Sequence, residues 1–287
     1  MRPHPFFPAL LLADDDELGE ALGAAVRARR TVQEWPLAVT ERVDLADGRR
    51  FAVKTQLPPS VEPAFYRQVR SALLPDRIDL GVAGSGHRLA ISWQDRPTLA
   101  GRIGEPDYPE CCRAVEDAIA AIDVSAPVHL DLSTPETWAL AVDETRRGLR
   151  AVISGGRFRR VPLDLVDAFV AWAHDSATLA EITDDTGLVH GDLTPDEVFL
   201  TEDGGCRVID WQRPVRGPRG IDRAALLRMG GIEPADHVPR YCLQVEAYLR
   251  LHWAVQCATE VLPGLPPEGY QTWAIDALQR IGELAAG

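Results

Sequence analysis

The spacing of apolar and polar residues changes character near residue 95. Before that point short alternating runs dominate. Asp14-Asp15-Asp16 leads into Leu18, Leu22, Ala25, Val26 and Arg29, a spacing that predicts a helix with an acidic start and an Arg-rich end. Leu37, Val39 and Val43 then alternate as a strand does, Ala46-Asp47-Gly48 interrupts, and Phe51, Val53 and Lys54 resume the pattern. Asp-Gly between two such runs predicts a hairpin. Ser60 is a candidate N-cap for a short helix carrying Val61, Phe65 and Val69 at helical spacing. Two further strands, over 78–82 and 89–93, turn through Gly84-Ser85-Gly86. From Pro106 onward the period is helical, which predicts helices over 108–122, 135–153, 162–182, 221–227, 234–261 and 268–284, with a loop over 127–133.

One stretch breaks the helical part. It runs from Leu188 to Trp211 and reads LVHGDLTPDEVFLTEDGGCRVIDW. A short apolar run enters a polar loop, Val198-Phe199-Leu200 forms a second run, Gly204-Gly205 marks a turn, and a third run from Cys206 delivers Asp210. Asp192 and Asp210 therefore stand at the mouths of neighbouring short strands with a hairpin between them. Phosphoryl transfer uses such an arrangement: one carboxylate orients and deprotonates a hydroxyl, and another holds the magnesium that neutralises the phosphates.

Composition narrows the classes. The chain has 287 residues, 46% of them hydrophobic and 25% charged, enough for one large domain or two lobes around an ordinary core. Its net charge of −13 argues against a nucleic-acid backbone as partner and is compatible with a cationic substrate. No run of apolar residues is long enough to span a membrane. The apolar run over 6–13 is interrupted by Pro8 and closed by the Asp triplet, which is unlike a signal peptide. The cysteines are five, an odd number without a Cys-x-x-Cys pair. Reduced thiols and a cytoplasmic location account for them.

His190-Gly191-Asp192-Leu193-Thr194-Pro195 followed by Ile209-Asp210-Trp211 resembles the catalytic core of the aminoglycoside phosphotransferase and choline-kinase-like enzymes, relatives of the protein kinases. The resemblance implies an α+β, bilobal, protein-kinase-like fold, with a small antiparallel-sheet N-terminal lobe over 1–95 and a larger, mainly helical C-terminal lobe over 96–287. Carried over by position, Asp192 is the catalytic base, Asp210 a magnesium ligand, and His190 and Asp222 supports of the loop. Lys54, in an Ala-Val-Lys run like that of the kinase phosphate-binding strand, is expected on the nucleotide phosphates. Glu62, in a Glu-x-x-Phe-Tyr grouping similar to a choline-kinase-like helix, is its expected ion-pair partner. The segment Gln94-Asp95-Arg96-Pro97 matches the hinge whose backbone binds a nucleotide base.

Two positions depart from the pattern. The family's second metal ligand is Asn five residues after the base, and here that residue is Glu197. A carboxylate there either makes the site more dependent on Mg²⁺ or turns away with the loss of one metal contact. The kinase Gly-rich loop also has no glycine counterpart between Leu37 and Val43. The implied activity is a Mg²⁺-dependent transfer of the γ-phosphate of ATP or GTP to a hydroxyl. The acceptor is a small molecule, such as an aminoglycoside-like antibiotic or other metabolite, in resistance or biosynthesis; or it is a Ser/Thr side chain in a peptide-modifying pathway. The rival expectation is a pseudokinase, a binding or scaffold subunit without turnover.

Overall fold

The computed structural model describes residues 1–123 and 125–286. Two units pack separately: Met1–Gly101 with Asp196–Gln212, and Arg102–Pro195 with Arg213 onward. Where the sequence suggests one boundary at residue 95, the first unit extends further and takes in a second, distant segment.

In the first unit a short pair, β1 (Arg2–Pro3) and β2 (Leu11–Leu12), precedes α1 (Asp15–Leu22). The helix opens on a capping box, with the Asp14 carboxylate accepting the Glu17 N–H and the Glu17 carboxylate accepting the Asp14 N–H, both at 2.9 Å. It does not run on through Arg29 as expected. Gly23, at φ 75°, turns the chain out of the helix, and Val26 starts β3 (Val26–Trp35). Next come β4 (Ala38–Leu45), β5 (Arg50–Gln56), α2 (Glu62–Gln68), β6 (Arg77–Ala83) and β7 (Gly86–Ser92). The five long strands form one antiparallel sheet in the order β3-β4-β5-β7-β6. Residues Pro36-Leu37 make the β3–β4 turn, so the place of the kinase Gly-rich loop is indeed free of glycine. Alternate residues of β4 point inward, and Val43 and Leu45 pack with Leu18, Leu22, Phe51, Val53 and Ala90. Each such large aliphatic side chain contributes about 1.5–3 kcal/mol on burial.

The second unit begins with α3 (Tyr108–Ala120), followed by β8 (Leu130–Asp131) inside the expected loop, and α4 (Pro135–Ser154), capped by Thr134. The single helix expected over 162–182 is two: α5 (Leu163–Ala173) and α6 (Ser176–Asp184). The break has a local cause, because the Asp175 carboxylate accepts the Thr178 N–H at 2.8 Å and caps a new helix. After β9 (Thr186–Val189) the chain leaves this unit and adds the hairpin β10 (Val198–Leu200) and β11 (Cys206–Val208) to the first. It returns as β12 (Val215–Pro218), the middle strand of a sheet ordered β8-β12-β9. The Arg-, Pro- and Gly-rich segment over 213–220 is therefore half strand. Then come α7 (Ile221–Met229), α8 (Arg240–Gln256) and α9 (Glu268–Ala286). The helix expected from Pro234 begins only at Arg240. Pro234–Asp236 is a single 3₁₀ turn, and Pro239 stands at the N-cap of α8. The largely aliphatic core of this unit holds an aromatic cluster. Phe169 stacks on Tyr248 with ring centroids 6.0 Å apart, and Trp138 donates its indole N–H to the Ala173 carbonyl at 2.9 Å.

An antiparallel-sheet part followed by a mainly helical part is the α+β architecture expected from the sequence. No described helix is long and apolar enough to cross a membrane, and all five cysteines are free thiols. The basic turn over 155–160 serves packing, with Phe158 fully buried and Arg157 donating to the carbonyls of Pro263 and Leu265.

Candidate active site

In the first unit Lys54 is buried on β5, 6% exposed, and its ammonium is held by two carboxylates. Glu62 Oε2 lies 2.8 Å away, and Asp210 Oδ1 is in direct contact. Glu62 begins α2 and is fully buried, and its Oε2 also accepts from Gln56 Nε2 at 2.9 Å. Burial disfavours the Lys54 charge, but Asp210 and Glu62 outweigh it and hold its pKa above the ordinary lysine range. Burial pushes the Glu62 carboxyl up; the Lys54 ammonium offsets that only in part, and the Asp210 charge adds to the rise.

Helix α2 is tied to the segment that carries Asp210. Phe65 stacks on Trp211 with centroids 4.4 Å apart and ring planes at 11°, a contact worth roughly 0.5–1.5 kcal/mol beyond the area it buries. The Val61 N–H donates to the Gln212 carbonyl at 3.0 Å. Asp210 itself has φ 71°, the only described non-glycine residue at positive φ, a conformation costing about 1–3 kcal/mol. Gln212 holds it there: its N–H reaches the Asp210 carbonyl at 2.7 Å and its side-chain amide reaches Asp210 Oδ1 at 2.6 Å.

Glu197 closes a 3₁₀ turn ahead of β10, and its carbonyl accepts the Ile209 N–H at 3.2 Å. Val198 pairs with Val208, so the backbone of Glu197 lies across from Ile209, the residue before Asp210. Glu197 and Asp210 are both half-buried rather than sealed. Magnesium takes hard oxygen donors and is commonly held by one or two carboxylates together with substrate phosphates. Asp210 and Glu197 are residue types that fit that chemistry. They do not fit a metal held wholly by the protein, since the described residues contain no group of three metal-ligating side chains.

In the second unit the loop from His190 to Asp192 hangs on a buried acid. Asp222, 2% exposed near the start of α7, accepts the His190 N–H at 2.6 Å and the Gly191 N–H at 3.0 Å. Burial raises its pKa, while His190 and the two backbone donors pull against the rise. Gly191 has φ 90°, and a Cβ there would stand 2.8 Å from the Arg213 carbonyl. Only glycine fits both conditions. His190 is fully buried, with Nδ1 3.6 Å from Asp192 Oδ1. The Asp192 carboxylate is 43% exposed and receives Arg213 Nη2. The Arg213 guanidinium lies flat against Trp253, 3.8 Å from the ring centroid.

Asp192, Asp222, Arg213 and Trp253 line a cavity of about 330 Å³ within this unit, walled by α7 and α8. Sequence reasoning found the two acids and missed the two residues facing them. Arg213, three residues beyond Asp210, lies in a run rich in Arg, Pro and Gly that gives no sign of a site, and Trp253 carries no signal beyond its place in a helix. The seven residues singled out from the sequence thus form two groups: Lys54, Glu62, Asp210 and Glu197 in one unit, and His190, Asp192 and Asp222 in the other. The Gln94–Pro97 stretch belongs to the first unit, where the Pro97 carbonyl accepts the Leu200 N–H at 2.9 Å.

Residues 16–254 match the family model described as the phosphotransferase enzyme family, APH. No curated protein matches the chain significantly. Among solved structures, an apo thermostable mutant of aminoglycoside phosphotransferase APH(4)-Ia aligns with TM-score 0.60 at 17% identity, covering 96% of this chain and 100% of that one. A variant of that enzyme in ternary complex with ADP and hygromycin B aligns with TM-score 0.56 at 17% identity, over 96% and 100%. A macrolide 2'-phosphotransferase type I aligns with TM-score 0.59 at 19% identity, over 95% and 98%.

Proposed function

Because the chain belongs to the phosphotransferase enzyme family, we propose that it moves the γ-phosphate of ATP or GTP to a hydroxyl of a small molecule. The observation that carries this reading is the buried Lys54 ammonium held between Glu62 and Asp210. A lysine so placed is positioned to release Asp210 to a metal and turn to phosphate oxygens when nucleotide arrives.

Each residue then has a task. Lys54 binds the phosphates and Glu62 holds it in place. Asp210, with Glu197, would hold Mg²⁺, which when bound neutralises the phosphate oxygens. Asp192 accepts the proton of the acceptor hydroxyl as that oxygen attacks the γ-phosphorus; the bond to the bridging oxygen breaks, and the nucleoside diphosphate leaves with its electrons. Arg213 fixes the orientation of the Asp192 carboxylate, and Asp222 fixes the loop through two backbone donors. His190 fills the space beneath it.

A second reading rests on Glu197. A carboxylate in the place of the family's Asn suits a pseudokinase, which would bind nucleotide without turnover. A thermal-shift series with ATP, GTP and ADP, with and without Mg²⁺, followed by a diphosphate-release assay over a panel of hydroxyl acceptors, separates the two. Mg²⁺-dependent nucleotide binding with acceptor-dependent release supports the enzyme. Binding without release on any acceptor favours the pseudokinase, and no nucleotide binding removes both.

A further inference from the structure

The acidity of the whole chain suits a cationic acceptor, but the charges of the cavity beside Asp192 do not. Three carboxylates reach it, and each is already engaged. Asp192 is paired with Arg213. Glu246, 11% exposed, is gripped by both terminal nitrogens of Arg228. Asp222 is buried under the His190 and Gly191 N–H groups. A third guanidinium, Arg250, is exposed at the same cavity, and among the described residues no carboxylate pairs with it. Glu246, Leu249, Arg250 and Trp253 recur at helical spacing on α8, so one face of that helix presents the Arg228-bound acid, an apolar patch and the unmatched cation together. A polyamine entering here would find no available carboxylate and would meet Arg250.

We propose that the acceptor is an anionic hydroxyl compound with an apolar body, its carboxylate or similar group bound by Arg250, its apolar part on the Leu249–Trp253 face, and its hydroxyl delivered to Asp192. This rests on the phosphotransferase reading only for the fate of the hydroxyl; the charge preference belongs to the cavity. Arg250 is the specificity-determining residue. Its planar donors suit a carboxylate, and its position at the mouth leaves Asp192 and Arg213 undisturbed. The three carboxylates and three guanidiniums of the cavity balance in number, and among the described residues Arg250 is the one of the six that no partner engages.

The test is binding calorimetry on the full chain without nucleotide. Its probes are straight-chain 3-hydroxyalkanoates from butanoate to decanoate, their uncharged methyl esters, and hygromycin B. The expected result is that at least one acid binds roughly tenfold or more tightly than its ester, and that hygromycin B binds more weakly than either. Arg250→Ala should remove the difference between acid and ester, and Arg250→Lys should keep much of it. The proposal is overturned if no acid in the series is preferred to its ester, if hygromycin B binds best, or if the preference survives Arg250→Ala. If the wild-type chain shows the acid preference yet binds no Mg-nucleotide, the phosphotransferase reading fails and the cavity's preference stands.

Discussion

Glu62 Oε2 stands 2.8 Å from Lys54 Nζ, although only eight residues separate the two along the chain. The strand ends at Gln56 and α2 starts at Glu62, so a short connector brings a carboxylate back over the strand it has just left. The other carboxylate on Lys54, Asp210, arrives from a distant segment. On the phosphotransferase reading, Glu62 fixes the lysine and Asp210 is the partner that exchanges.

Glu62→Gln keeps the shape and removes the charge. Lys54 is then held by Asp210 alone and loses its fixed position. The KM for Mg-nucleotide should rise roughly tenfold, and stability should fall by about 1–3 kcal/mol as the buried amide is imperfectly matched. Steady-state kinetics and urea unfolding measure the two effects; an unchanged KM would show that Lys54 does not depend on Glu62.

Asp192→Asn should lower kcat by roughly 10²–10⁴-fold, the usual contribution of a positioned base. Nucleotide affinity should hardly move, because Asp192 lies in the unit that does not contain Lys54. Single-turnover kinetics with calorimetry on the same preparation decide the matter. Near-normal kcat removes the base assignment.

At Asp210, replacement by Ala should abolish the Mg²⁺ dependence of nucleotide binding. The substitution does not relieve the positive-φ strain, since Ala is less suited to φ 71° than Asp. Tight Mg-nucleotide binding by the variant would exclude Asp210 as the metal-side carboxylate.

Glu197→Asn separates the enzyme from the pseudokinase. In an enzyme whose Glu197 faces the metal, removing one negative charge should tighten binding of metal-free nucleotide and leave activity within roughly tenfold, about 1.4 kcal/mol. In a pseudokinase silenced at this residue, the same change should create or raise phosphotransfer. If neither binding nor turnover responds, Glu197 does not face the nucleotide.

Acid should weaken the second unit through His252. Its ring is buried, Thr145 Oγ1 lies 2.8 Å from its Nδ1, and burial, with the positive charges of His129 and Arg213, lowers its pKa from 6.5 to about 4. Between those values the unfolded chain binds a proton that the folded chain refuses, so stability falls as pH drops from 6.5 and the loss is complete near 4. The size is on the order of 3 kcal/mol. His252→Gln should flatten the pH dependence of the urea midpoint over that window; an identical slope in the variant would locate the acid sensitivity elsewhere.

Most of the fold was readable because burial imposes a period. Strand β4 buries alternate residues, and the alternation is plain in its sequence. Strand β3 is an edge strand with no fully buried residue, so nothing forces an alternation, and its Ala- and Arg-rich start reads as the end of the preceding helix. The same reasoning covers the site. His190, Asp192 and Asp210 lie within a compact motif whose spacing is local. Arg250 and Trp253 come to the cavity through the packing of α8, and their helical spacing is the same whether that face meets a ligand, a core or water.

The Lys54–Asp210 contact spans 156 positions. On the ribosome, the sheet that carries Lys54 is made early, but the segment over 196–212 that completes its unit is made late, after most of the helical unit has already emerged. For that interval Lys54 and Glu62 are a buried pair in waiting, with Trp211 not yet stacked on Phe65. The unit that contains Lys54 can finish folding only once much of the other unit is synthesised. A fragment ending at residue 101 should therefore bind no nucleotide, and nucleotide protection should first appear in chains that extend past Gln212.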